Sequence, residues 1–128
     1  MAEPRRILIV DDEPSVRAMI HAAIKVRGGR YQVIEAANAS EAVASAHAER
    51  PDLVLLDVAL PDNDGFWVCR ELKNSPATAH IPIIMLTAMS LQSDRELAAE
   101  VGADGYVVKP FSPRALLDLL DERLGLLP

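Results

Sequence analysis

The chain has 128 residues, half of them apolar and a quarter charged, with a formal net charge of −6 and a single cysteine. That is the size and balance of one globular domain able to bury its own core, and one thiol excludes an internal disulfide. The acidic balance disfavours direct contact with nucleic acid or anionic lipid and favours a protein partner or a cation. No apolar run approaches the ~20 residues needed to cross a bilayer, and Arg5–Arg6 followed by Ile7–Val10 is too short for a secretory leader. A cytoplasmic protein off the membrane is the expectation, with 1–128 forming one domain and 1–4 and 125–128 its tails.

Ile7–Val10 is apolar throughout, the pattern of a strand covered on both faces. Pro14–Arg27 follows as a helix, with Val16, Ile20, Ala23 and Ile24 on one face, Pro14 suited to a first turn and Gly28–Gly29 to a stop. Tyr31–Glu35 is a more polar run and reads as an edge strand. Ser40–Glu49 is an alanine-rich helix whose Ala42, Val43 and Ala46 allow close packing. Leu53–Leu56, Ile83–Leu86 and Tyr106–Val108 repeat the fully apolar strand pattern. Helices are predicted over Phe66–Lys73, Ser93–Val101, with Gly102 as a left-handed cap, and Pro113–Leu124. There is no repeat and no linker. The order βαβαβαβαβα implies an α/β sandwich with right-handed crossovers, in which ligands sit beyond the carboxyl ends of the strands.

The residues at those strand ends are polar. The first strand runs into Asp11 and Asp12, the third into Asp57, the fourth ends in Thr87, and the fifth runs into Lys109 and Pro110. A parallel sheet gathers all of them at one edge. Three carboxylates at such range repel one another unless protons or a cation intervene, and an all-oxygen donor set suits Mg²⁺. Lys109 is a point charge for a phosphate oxygen, and Thr87 can donate to another. A carboxylate nucleophile forms an acyl phosphate when a metal and a cation offset the charge on the transferred group. Each residue alone has a plainer reading, as a turn residue, a solvated lysine or a β-branched strand residue. The functional reading rests on their coincidence at the ends of four strands.

Four segments, IVDDEP at 9–14, LLDVALPDNDG at 55–65, IIMLTA at 83–88 and GYVVKPF at 105–111, run the length of the chain. Together they resemble the receiver domain of two-component response regulators, of the kind typified by chemotaxis regulators. The resemblance implies a doubly wound, flavodoxin-like (βα)5 sandwich with a five-stranded parallel sheet in the order 2-1-3-4-5. It implies that Asp57 accepts phosphate from a histidine kinase or phosphotransfer protein. Asp12 and Asp57 would then coordinate Mg²⁺ directly, Asp11 through water, and the Ala59 carbonyl would add a ligand. Lys109 would pair with the phosphoryl group and precede a cis proline. Thr87 would turn toward the phosphate and Tyr106 would move inward, changing the face made by the fourth helix, fifth strand and fifth helix. That face would control a downstream protein, an output domain or a homodimer.

Several positions depart from the family pattern. Ala59 and Met89, two residues after Asp57 and Thr87, cannot orient a water, so slow self-dephosphorylation is expected. Trp67 reads either as a ring lying on its own helix or as a docking anchor. In the last helix Leu116, Leu120 and Leu124 form the core stripe, while Leu117 and Leu119 fall partly outside it and are candidate interface residues. Asp62 and Asp64 are assigned to the loop and to the cap of the third helix, and Cys69 to packing. His21, His47 and His80 share no metal spacing. Two alternatives stay open: the receiver part of a longer regulator with a DNA-binding or enzymatic output domain, and an Mg²⁺-dependent hydrolase with an aspartyl-phosphate intermediate.

Overall fold

The computed structural model describes residues 3–88 and 92–125, with 92–94 described for the backbone alone. Met89 and Leu126–Pro128, singled out from the sequence, lie outside the described residues. Five strands, β1 (Arg5–Val10), β2 (Tyr31–Ala36), β3 (Leu53–Asp57), β4 (Ile83–Thr87) and β5 (Gly105–Val108), alternate with five helices. These are α1 (Pro14–Val26), α2 (Ala39–Glu49), α3 (Gly65–Lys73), α4 (Gln92–Glu100) and α5 (Pro113–Arg123). The strands form one parallel sheet in the order β2-β1-β3-β4-β5, as the family resemblance implies.

The apolar runs are explained by the pleat, which sends successive side chains to opposite faces. Leu8, Val10, Val54, Leu56, Ile83 and Met85 pack with residues of α2, α3 and α4. Ile7, Ile9, Leu53, Leu55, Ile84 and Leu86 pack with Ile20 and Ile24 of α1 and Leu116 and Leu120 of α5. Both faces are covered, so no polar alternation is tolerated in the three central strands. Each buried Leu or Ile contributes about 1.5–3 kcal/mol over its exposed state. Ala39, Ala42 and Ala46 are fully buried and let α2 lie close to the sheet.

Local signals end the helices where the sequence suggests. Pro14 opens α1, and Gly28 (φ 72°) and Gly102 (φ 89°) take the left-handed conformation after α1 and α4. Asn38, Asp64 and Ser112 cap α2, α3 and α5 by accepting from the N–H groups of Glu41, Trp67 and Ala115.

Three expectations are corrected. Residues 106–108 are not fully buried: β5 pairs with β4 alone and forms an edge, leaving Tyr106 37% exposed. Leu117 is buried, not a surface residue, because α5 packs on α1 as well as on the sheet and its apolar face is wider than one leucine stripe. Asp62 is not confined to its own loop: its carboxylate accepts from the N–H groups of Ala39 and Ser40 at the start of α2. Leu119 is half-buried against the same cluster as Leu117, and Trp67 is half-buried against the opposite one.

Candidate functional site

The carboxyl ends of β1, β3, β4 and β5 meet at one edge because the ladders are parallel and in step. Asp57 pairs with Leu86, and Thr87 with Val108. Beyond the ladders the backbone continues the same pattern: Val58 N–H donates to the Leu86 carbonyl (2.9 Å) and Lys109 N–H to the Thr87 carbonyl (2.7 Å). The Lys109–Pro110 peptide is cis.

Lys109 is the electrostatic centre of the cluster. Its Nζ donates to Asp11 Oδ2 at 2.8 Å and to Asp57 Oδ2 at 3.3 Å. Asp11 is fully buried and Asp57 is 4% exposed, while Asp12 is open to solvent. The second oxygen of each buried carboxylate is also held: Asp11 Oδ1 accepts from Glu13 N–H (2.9 Å) and Asp57 Oδ1 from Ala59 N–H (3.2 Å). Asp12, Asp57, Ala59, Thr87 and Lys109 line one cleft of about 630 Å³, counting the solvent at its mouth, together with Glu13 and Ala88.

The site holds more negative charge than one lysine offsets. Burial pushes the Asp57 carboxyl above its ordinary value, and the Asp11 charge pushes the same way, against Lys109 and the Ala59 N–H. For Lys109 burial is the largest influence and acts downward, but the two carboxylates outweigh it and hold the ammonium above its ordinary value. Lys109 is therefore charged at neutral pH, and Asp57 gains from any further cation. Carboxylate oxygens of Asp11, Asp12 and Asp57 lie within 4.8 Å of one another. A hard cation with oxygen ligands fits that donor set, whereas zinc would call for His or Cys, which the cluster lacks.

The sequence-predicted residues Asp11, Asp12, Asp57, Ala59, Thr87 and Lys109 thus come together. Tyr106 does not enter the cleft; its ring lies under the Arg95 guanidinium, 5.3 Å from carbon to centroid. Beside it is a small cavity of about 10 Å³, lined by Val58, Phe66, Met85, Thr87, Ala98 and Arg95. Trp67, Leu117 and Leu119 are not cleft residues.

Sequence reasoning missed two supports. Arg17 reaches back from α1 to donate to the Asp11 carbonyl (2.5 Å) and to Glu35 Oε1 (3.0 Å), fixing the turn that carries the aspartate pair. Gly65 packs its backbone directly on the Asp57–Val58 peptide, and its N–H donates to the Val58 carbonyl at 2.8 Å. The DG pair at 64–65 marks a helix start, but nothing local marks the approach to Asp57.

Comparison with known proteins agrees with this geometry. The response regulator receiver domain model matches residues 7–121. The phosphate regulon transcriptional regulatory protein PhoB of Pseudomonas aeruginosa is 46% identical over 113 residues, which are 88% of this chain and 48% of that regulator. The chain therefore spans about half the length of the curated relatives it matches. A crystal structure of a response regulator from Chloroflexus aurantiacus superposes with a TM-score of 0.88 at 35% identity, covering 95% of this chain and 98% of that one. The receiver domain of the sensor histidine kinase PA1611 from Pseudomonas aeruginosa PAO1 gives 0.86 at 36% identity, with the same coverages. That structure holds a magnesium ion coordinated in its active-site cleft. With the family model matching residues 7–121 and solved receiver structures sharing the fold, this chain belongs to the response regulator receiver domain family.

Proposed function

We propose that Asp57 is the phosphoacceptor of this receiver, taking a phosphoryl group from a histidine kinase or phosphotransfer protein with Mg²⁺ held by Asp11, Asp12 and Asp57 and by the Ala59 carbonyl. The observation that carries the reading is Lys109 Nζ lying between two buried carboxylates, 2.8 Å from Asp11 and 3.3 Å from Asp57. When bound, the cation supplies charge neutralisation of the phosphoryl oxygens and of the crowded carboxylates. The chain's own groups do the rest. An Asp57 oxygen attacks phosphorus in line, forming the acyl phosphate bond while the bond to the donor's nitrogen or oxygen breaks and its electron pair leaves with the donor. The Ala59 N–H keeps the other Asp57 oxygen turned away. Lys109 stays within reach of the transferred group, and Thr87 at the cleft wall donates its hydroxyl to a phosphoryl oxygen.

The same movement sets the output. Drawing Thr87 toward the phosphoryl group enlarges the cavity beside it, and Tyr106 leaves its exposed position under Arg95 to fill the space. The α4–β5–α5 face then presents a different surface to a protein partner, an output domain or a second copy. A shift from mostly inactive to mostly active needs a differential of about 5 kcal/mol, within reach of several charge-assisted hydrogen bonds.

The test is incubation with acetyl phosphate, with and without Mg²⁺, followed by intact-mass measurement. The wild type should gain one phosphoryl group with Mg²⁺ and none without it, and Asp57→Asn should gain none. Repeated turnover of phosphate monoesters would instead favour the hydrolase reading. A second reading, supported by the length of PhoB relative to this chain, makes this the receiver part of a longer regulator whose output domain contacts DNA. The length of the gene separates it from a stand-alone receiver.

Ala59 sits in the cleft wall with no polar group on its side chain. The acyl phosphate should therefore be long-lived, and Ala59→Asn, which can orient an attacking water, should shorten its lifetime about tenfold. Decay followed by intact mass after removal of the donor checks this; an unchanged lifetime contradicts it.

A further inference from the structure

Asp57 and the residues behind it stand at the start of a loop, Val58–Asp64, that must hold the Ala59 peptide against the carboxylate. The loop's ends are fixed by the Val58 N–H bond to Leu86 (2.9 Å) and the Gly65 N–H bond to Val58 (2.8 Å). Its middle is exposed at Ala59, Pro61, Asp62 and Asn63. Leu60 rests on the core, and Asp62 reaches to another element altogether. Asp62 Oδ1 accepts from Ala39 N–H at 2.7 Å, and Oδ2 accepts from Ser40 N–H at 3.0 Å and Ser40 Oγ at 2.8 Å.

Helix α2 has its own cap. Asn38 Oδ1 accepts from Glu41 N–H at 2.8 Å, and the Glu41 carboxylate accepts from the Asn38 side-chain amide at 2.5 Å. Ser40 and Glu41 are exposed, but Ala39 is fully buried, so Asp62 satisfies an N–H group of the first turn that water does not readily reach. The three bonds to Asp62 therefore tie the loop to the start of the helix as well as capping it. Behind them α2 is a rigid support, seated on the sheet through fully buried Ala42 and Ala46.

We propose that Asp62 is a positioning residue for the metal site, clamping the Val58–Asp64 loop to α2 so that the Ala59 peptide stays at Asp57. This rests on the phosphoacceptor reading above. The two N–H donors, Ala39 first, hold the Asp62 carboxyl at about 2, so the clamp is charged throughout the physiological range.

Asp62→Ala and Asp62→Asn test it, because both remove the same charge while asparagine keeps an oxygen for the α2 N–H groups. Mg²⁺ affinity is read by titration calorimetry on the purified chain, alongside the Mg²⁺ dependence of acetyl phosphate labelling. Asp62→Ala should weaken Mg²⁺ binding about tenfold, with Asp62→Asn clearly less affected. The labelling rate at saturating Mg²⁺ should stay within about twofold of wild type, the split expected when binding rather than the chemical step is disturbed. If wild type binds Mg²⁺ and Asp62→Ala matches it, or the two variants weaken it equally through charge alone, the positioning role is overturned and the phosphoacceptor reading stands. A wild type that neither binds Mg²⁺ nor takes up phosphate overturns both.

Discussion

Gly65→Ala is expected to slow phosphoryl uptake about 100-fold and to destabilise the fold by about 1–3 kcal/mol. A Cβ on residue 65 would lie 2.3 Å from the Asp57 carbonyl oxygen and 3.0 Å from both the Asp57 carbonyl carbon and the Val58 Cα. All three are backbone atoms, so no rotamer can relieve the contact. Either α3 moves away, breaking the Gly65 bond to Val58, or the Asp57–Val58 peptide moves and takes the phosphoacceptor with it. A shift on the scale of an ångström is enough to spoil an in-line attack. Gly29→Ala is the control: nothing lies within 4 Å of its added Cβ and its φ is −80°. That variant should label like wild type. Urea unfolding and single-turnover labelling read the two effects, and normal labelling by Gly65→Ala would contradict the account.

Asp121→Ala should cost about 3–5 kcal/mol without touching the cleft. Asp121 lies on α5 with its side chain entirely buried. It accepts from Tyr31 Oη, from Arg27 Nη1 at 2.5 Å and from Arg30 Nη1 at 3.1 Å, joining α5 to the end of α1 and the start of β2. Removing it strands a buried phenol, takes the carboxylate from the more exposed Arg30 and leaves Arg27 with Asp118 alone. Asp118, which shares Arg27 at 2.9 Å but is more than half exposed, should cost less than about 1 kcal/mol when replaced by alanine. The network also has a pH signature. Burial first, then Asp121, pushes the Tyr31 phenol well above its ordinary value. The folded pKa is thus raised, so its contribution is fully present below about pH 10 and is lost as the pH climbs beyond. Tyr31→Phe should flatten that alkaline loss, and equal stabilities for Asp121→Ala and Asp118→Ala would refute the ranking.

Much of this was legible in the sequence because the signals are local and repeated. The three central strands announce themselves by unbroken apolar runs, and Asp57, Thr87 and Lys109 by ending or following strands. Parallel alternation then gathers them without any knowledge of distances. What was not legible is whatever depends on a second element. Tyr106–Val108 reads as apolar, yet its place at the sheet edge leaves Tyr106 exposed beneath Arg95, a neighbour from another helix. Leu117 looks surplus to the α5 stripe until α1 is seen against it. Asp62 and Asp64 have the same composition and near-identical surroundings in the chain, but one caps the helix that follows it and the other the helix before β3. Arg17 and Gly65 support the site through backbone contacts that no spacing rule encodes.

On the phosphoacceptor reading, a divalent cation and Lys109 together let the Asp57 carboxylate attack phosphorus. Borohydride reduction after acetyl phosphate treatment is the decisive measurement, since it converts an aspartyl phosphate to homoserine at the modified position. Peptide mapping should find homoserine at residue 57 alone, only when Mg²⁺ is present, and much less of it in Asp12→Asn. Homoserine at another aspartate, or equal yield at residue 57 without Mg²⁺, would contradict it.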